Sequence, residues 1–267
     1  MAHLKSMPDE SVQLIYIDPP FNTGRKQSRG KSTSVRSETG RIGFKGARYD
    51  IVRDTVLSYD DEFADYWSFL EPRLEQAWRL LNKTGTLYLH LDYREAHYAK
   101  VLLDALFGRE CFLNELIWAY DYGAKAQGRW PAKHDTILVY VKDPQSYYFN
   151  NAEVDREPYM APGLVTKEKA EKGKLPTDVW WHTIVSPTGK EKTGYPTQKP
   201  VGILRRIIQA SSKKGDLVLD FFGGSGTTGA VAAELGRRFV LVDQNPEALE
   251  VMRKRFADAG LDVEFRD

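Results

Sequence analysis

The sequence predicts an α/β fold, a mainly parallel sheet with helices on its faces, and three observations carry that prediction. Strand-like and helical runs alternate along the chain. Val12–Ile17 is mostly apolar, as a strand covered on both faces requires, and runs straight into the turn "DPPF" at 18–21. "VLDFFGGSGTTGAV" at 218–231 joins a short apolar strand to a helix through glycines.

The elements follow in order. In "DEFADYWSFLEPRLEQAWRLL" Phe63, Trp67, Leu70, Leu74, Trp78 and Leu81 recur at helical spacing. "GTLYLHL" (85–91) is the next strand, and 93–108 is a helix closed by Gly108. The β-rich runs 113–120 and 135–142 are expected to pair antiparallel. From Asp143 to Tyr195 periodicity fades and prolines recur, which marks a small lobe or long functional loop. Helices at 199–212, 227–236 and 245–260 then alternate with strands at 216–220 and 238–243. Asn245 caps the last helix, with Pro246 at its first position. "LDVEFRD" closes the chain as a short strand.

Its 267 residues suit one domain, 1–267. Lys+Arg 38 against Asp+Glu 37 gives a net charge of +1, so overall charge selects no partner. Locally, Arg25, Lys26, Arg29, Lys31, Arg36, Arg41, Lys45, Arg48 and Arg53 face only Glu38 and Asp50. This 25–53 stretch has no apolar period and reads as a mobile basic loop suited to phosphates. A single cysteine, Cys111, excludes internal disulfides and cysteine metal clusters, and the histidines show no metal-ligand spacing. With no apolar run long enough for a signal peptide or membrane span, a cytoplasmic location is expected.

The DPPF turn lies at a strand's carboxyl end, where open α/β sheets bind ligands. Asp18 offers an acceptor, Pro19 and Pro20 keep their carbonyls aimed, and Phe21 offers a ring. Together they suit a planar group bearing an amine. In the second motif Gly224, Gly226 and Gly229 fit G-x-G-x-x-G, with Asp243 placed for ribose hydroxyls. That pattern alone fits NAD, FAD or S-adenosylmethionine. Asp220 would repel a pyrophosphate but attract the ammonium of a methionine moiety, whose carboxylate Ser225, Thr227 and Thr228 could bind. In "GYPTQKP" (194–200), Thr197 is a candidate helix cap and Lys199 the nearest cation for that carboxylate.

DPPF, TQKP and DxFxGSGTT, in that order, resemble the DNA amino-methyltransferases in their β arrangement, a circularly permuted motif order found in type II and III modification methylases. The resemblance spans nearly the whole chain, including "GTLYLHLDYREAHYAKVLLDALFG", "KHDTILVYVK" and "TDVWWHTIV". It implies a Rossmann-like fold with seven strands and one antiparallel edge hairpin, S-adenosylmethionine as methyl donor, and a base flipped from double-stranded DNA. Matched by position, Asp18, Pro19, Pro20 and Phe21 are catalytic. Asp220, Phe222, Gly224, Ser225, Gly226, Thr227, Thr228 and Asp243, with Thr197, Gln198 and Lys199, hold the cofactor. An Asp in the first catalytic position favours adenine N6, with cytosine N4 the alternative. Arg25, Lys26, Arg29, Lys31 and Arg129 are expected on DNA, with residues 143–195 as the target-recognition region. Tyr120, Tyr122, Arg129 and Trp130 would line a DNA cleft or cap the hairpin, the latter favoured for Trp130. A homodimer and a companion restriction enzyme are further candidate partners.

The sequence departs from the family at Phe221, where proline is common, and at Gly223-Gly224, where Cys-Gly or Ala-Gly is frequent. Relatives also carry a strand ending in Gly-Asp upstream of "LPDESV", while here Met1 stands close before "PDESV". "VEFRD" is therefore expected to replace it, pairing beside the Asp243 strand and bringing Asp267 near Leu4 and the cofactor adenine. Two rivals remain. A protein glutamine methyltransferase has the opposite motif order, and a non-catalytic DNA-binding subunit would not need both acids. Carbon-5 cytosine methylation is rejected because Cys111 follows Glu110 on an apolar stretch.

Overall fold

The structure, a computed structural model, describes residues 1–23, 65–123, 125–186 and 188–266, and the backbone of 27–42 and 48–59. A seven-stranded sheet has the order β7-β5-β6-β4-β1-β8-β9. These strands are β1 (Val12–Ile17), β4 (Leu81–Leu91), β5 (Phe112–Ala119), β6 (His134–Val141), β7 (Val179–Trp181), β8 (Leu217–Asp220) and β9 (Arg238–Leu241). Only β6 runs against its neighbours, antiparallel to both β4 and β5. The expected hairpin is therefore present, and three-residue β7 adds parallel to its outer strand.

Strand alternation divides the core between the two faces of the sheet. Val12, Ile15 and Ile17 of β1 pack with Leu87 and Leu89 of β4 and with α2 (Tyr66–Leu80) and α3 (Ala96–Phe107). Leu14 and Tyr16 point the other way, onto α5 (Val201–Ser211) and α6 (Thr227–Glu234). All six residues of β1 are buried, which explains the mostly apolar run; the one amide side chain, Gln13, donates to the carbonyls of Thr84 and Ser211. Two short helices, α1 (Ala2–Ser6) and α4 (Lys167–Lys172), complete the set, and helix termini follow local chemistry. Asp65 accepts the N–H of Ser68 at the start of α2, and Gly108 ends α3 at φ 93°. Asn245 caps α7 (Pro246–Asp258) as expected.

Two expectations are corrected. Within the basic 25–53 stretch, read as an irregular loop, the backbone forms β2 (Gln27–Ile42), which pairs antiparallel with β3 (Arg48–Tyr59). Such a ribbon is closed by backbone hydrogen bonds and needs no apolar period, so the sequence carries no periodic sign of it. The C-terminal strand does not form in the described residues: 261–266 has no ladder, and β9 pairs with β8 alone. Leu261, Val263 and Phe265 pack instead on Ala248, Met252 and Phe256. Their period of two is satisfied by a helix surface as well as by a sheet edge. The seventh strand is β7, from the region read as aperiodic. That region is tied to the main body, since Trp180 is buried in the core and Trp118 Nε1 donates to the His182 carbonyl at 2.7 Å.

Candidate active site

β1 and β8 are adjacent and parallel, so the DPPF turn and the glycine turn emerge side by side at the carboxyl edge of the sheet. α2 leads from β1 towards β4 on one face and α6 from β8 to β9 on the other, which opens a crevice between them. A cavity of about 590 Å³ occupies it, lined by both turns, by Asp243 and by Lys199. The two motifs brought together from opposite ends of the chain thus share one chamber.

Asp18 divides its carboxylate between two tasks. Its Oδ2 lies 2.6 Å from Lys199 Nζ, with the two side chains 15 % and 11 % exposed. Its Oδ1 is buried and has no hydrogen-bond partner among the described residues. An acceptor left open in this way calls for a donor from a ligand. Phe21 flanks the pair, with Lys199 Nζ 4.9 Å from its ring centre.

Behind Phe21 lies a buried polar network that sequence reading missed. His90 sits 5.8 Å from Phe21, ring to ring. His90 Nδ1 meets Tyr16 Oη at 2.8 Å and His90 Nε2 meets Asp135 Oδ2 at 3.1 Å. Tyr120 Oη donates to Asp135 Oδ1 at 3.0 Å. Burial works to raise the Asp135 pKa, but hydrogen bonds from His90 and Tyr120 and the charges of His90 and Lys199 bring it below the usual carboxylate range. No short motif links these residues: Tyr16, His90 and Asp135 come from three different strands, and Tyr120 directly follows a fourth.

The glycine turn is built around Asp220, which is 2 % exposed. Its Oδ1 accepts the N–H of Phe222 at 2.9 Å and its Oδ2 the hydroxyl of Thr228 at 2.7 Å. Burial pushes its pKa up to about 7, against those two hydrogen bonds and with the charges of Asp18 and Asp243 adding to the rise. Asp243 Oδ2 accepts the Gly224 N–H at 2.8 Å, and burial raises its pKa also. Gly224 and Gly226 have φ of 49° and 73°, which side-chain-bearing residues rarely adopt. A Cβ at Gly224 would lie 3.2 Å from the Tyr195 ring. Ser225 and Thr227 share a hydrogen bond of 3.0 Å, so the hydroxyls proposed for a ligand carboxylate also brace the turn.

The TQK stretch is placed differently from its sequence reading. Thr197 lines the cavity, but the N–H of Val201 at the start of α5 goes to Glu191 Oε2 at 3.1 Å, so Glu191 supplies the cap. Gln198 is buried and tied to Thr193 and Glu191, fastening its own loop away from the cavity lining. Arg255, another residue missed from sequence, donates to the Ser225 carbonyl at 3.0 Å and to Thr227 Oγ1 at 2.6 Å. Burial lowers its pKa to about 10, partly opposed by Glu191.

The β5–β6 loop rises at the same edge of the sheet as the DPPF turn, because β5 runs parallel to β1. Trp130 on that loop is 94 % exposed and caps nothing, contrary to expectation. Arg129 beside it and Trp181 at the end of β7 are exposed too. Arg25, Lys26 and Asp267 lie outside the described residues, as do the side chains of Arg29 and Lys31.

Comparison with known proteins identifies the family. The DNA methylase family model matches residues 12–254. The chain belongs to the DNA methylase family. It is 30 % identical to the DNA adenine methyltransferase YhdJ of Escherichia coli K12, over 96 % of this chain and 79 % of that protein. It is also 30 % identical to the type II methyltransferase M.HpaI of Haemophilus parainfluenzae, over 98 % of this chain and 72 % of the relative. Solved structures of similar fold include the M1.HpyAVI–SAM complex, with TM-score 0.59, 21 % identity and coverage of 95 % and 91 % of the two chains. The cytosine-N4-specific PvuII DNA methyltransferase has TM-score 0.64 at 16 % identity, with coverage of 98 % and 84 %.

This methyltransferase uses S-adenosylmethionine, and its residues fit that group. Three carboxylates, Asp18, Asp220 and Asp243, line a chamber for a ligand carrying a sulfonium and an ammonium. Gly224, which lines the chamber beside Tyr195, keeps a side chain out of its glycine wall. Bound there, S-adenosylmethionine would supply an electrophilic methyl to a nucleobase amine. Among the described residues no helix is long and apolar enough to cross a membrane.

Proposed function

We propose that this DNA methyltransferase modifies the N6 amine of an adenine flipped out of double-stranded DNA within a specific sequence. The observation that carries the reading is Asp18 Oδ1, a buried acceptor without a partner among the described residues, at the cavity shared with the glycine turn. An exocyclic amine is a weak nucleophile because its lone pair is delocalised into the ring. Asp18 Oδ1 and the Pro19 carbonyl accept its two hydrogens, favouring a pyramidal nitrogen aimed into the chamber. The gain comes from positioning and preorganised acceptors. Phe21, backed by His90, stacks on the base, which must leave the duplex to reach it.

Adenine is favoured over cytosine because the catalytic turn begins with Asp, and a relative at 30 % identity, YhdJ, is an adenine methyltransferase. The exposed rim of Arg129, Trp130 and Trp181 faces the duplex, with residues 143–195 reading the site and the basic 25–53 stretch gripping phosphates. The cofactor residues are Asp220, Asp243 and the 222–228 turn, with Thr197 at the methionine end. A cytoplasmic location, a homodimer and a companion restriction enzyme belong to the same proposal. Single-molecule sequencing of DNA from cells expressing the protein tests this. N6-methyladenine in one recurring motif is the expected result, and N4-methylcytosine or unmodified DNA overturns the adenine assignment.

A further inference from the structure

The geometry points to Lys199 as the positioning residue for Asp18, joining the catalytic acid to the cofactor turn. This deepens the proposed function and rests on Asp18 as the amine's acceptor. A carboxylate turns about a broad, soft terminal torsion, so a lone Asp does not fix which oxygen faces a ligand. Lys199 Nζ holds Oδ2 at 2.6 Å, and Oδ1 is the oxygen left open. The same residue is fastened at its backbone, since Thr227 Oγ1 donates to the Lys199 carbonyl at 3.2 Å. Thr227 is in turn held by Arg255 at 2.6 Å, and Arg255 Nη2 reaches the Glu191 carbonyl at 3.4 Å. Lys199 therefore spans the chamber, with its carbonyl on the glycine turn and its ammonium on Asp18.

This reassigns the lysine. From sequence it is the nearest cation for a methionine carboxylate, yet its ammonium is engaged by a carboxylate of the protein, and it also lies over Phe21. Two consequences separate the roles. A lysine that binds cofactor acts on cofactor affinity. A lysine that aims Asp18 acts on the methyl-transfer step and has nothing left to act on once Asp18 is gone.

The test measures S-adenosylmethionine Kd by calorimetry and the single-turnover methylation rate at saturating cofactor and DNA, for wild type, Lys199→Met, Lys199→Arg, Asp18→Asn and the double variant Asp18→Asn/Lys199→Met. Thermal melting confirms that each is folded. Lys199→Met is expected to slow transfer about 100-fold, the order of loss for a misplaced catalytic group, with Kd unchanged. Lys199→Arg restores part of the rate, and the double variant is no slower than Asp18→Asn, the non-additivity of a pair acting as one unit. Weakened cofactor binding with an intact saturated rate, an unchanged rate, or losses that multiply in the double variant would each overturn the proposal. If Asp18→Asn retains the wild-type rate, the failure lies with the proposed function and is recognisable as such.

Discussion

Thr228 Oγ1 donates to Asp220 Oδ2 at 2.7 Å, closing the glycine turn over an acid whose pKa burial pushes up to about 7. A raised carboxyl contributes stability that is complete at low pH and lost as pH rises through the folded value. Between the ordinary carboxylate range and about 7, Asp220 alone removes up to about 1.4 kcal/mol per pH unit. The ligand-free protein should melt higher at pH 6 than at pH 8 (values set about that pKa), and Asp220→Asn should flatten the difference. Cofactor affinity has the opposite sign, because an ammonium favours the ionised acid. Calorimetry across this range should show affinity falling below about pH 7 in wild type but not in Asp220→Asn.

Asp18→Asn keeps shape but exchanges the open acceptor for an amide. Single-turnover transfer to DNA should fall about 10²–10³-fold, the loss typical of one preorganised hydrogen-bonding group. Cofactor binding should persist, because Asp220 and the glycine turn are untouched. Labelled-methyl incorporation beside calorimetry checks both halves.

Two glycines should respond differently to alanine. Gly226 has φ 73°, so Gly226→Ala costs about 1–2 kcal/mol of backbone strain. Gly229 is helical, but a Cβ there would stand 2.8 Å from Leu241 Cδ1 and 2.9 Å from the Phe239 ring. Overpacking of about 1–3 kcal/mol follows. Chemical denaturation reads both, and Gly226→Ala should also weaken cofactor binding.

Trp130 is exposed to 94 %, so Trp130→Ala should leave thermal stability within about 0.5 kcal/mol of wild type. As a stacking face on the DNA rim it should contribute about 1–3 kcal/mol to binding. Fluorescence anisotropy with a labelled duplex measures that loss, and unchanged affinity removes Trp130 from the interface.

Asp135→Ala removes the acceptor for His90 Nε2 and Tyr120 Oη. Each buried group left unsatisfied costs about 1–3 kcal/mol, seen as a lower denaturation midpoint. The lowered Asp135 pKa has its own sign: its stabilisation is present above the ordinary carboxylate range and lost as pH falls through the folded value. The variant should therefore show a smaller loss of stability on acidification than wild type.

Much of the fold is legible in local sequence. The buried run Val12–Ile17, the Asn245-Pro246 start of α7 and the Gly108 end of α3 appear where the pattern puts them. Each rests on periodicity or capping, which act within a few residues. The ribbon β2–β3 has no such sign, since an antiparallel backbone ladder forms without any apolar period. The tail at 261–266 shows the converse: alternation is present, but whether a helix or a sheet edge receives it depends on what lies nearby.

The DPPF turn and the glycine turn are determined by sequence, because prolines, glycines and strand ends impose local backbone geometry wherever they occur. The partners of those turns are not. Lys199 meets Asp18 only after β1 and β8 are set side by side, His90 backs Phe21 only after β1 pairs with β4, and Arg255 braces Thr227 only once α7 returns to the glycine turn. Contacts between residues far apart in the chain are made by packing, and no local preference encodes which atom of a lysine or carboxylate will face the other.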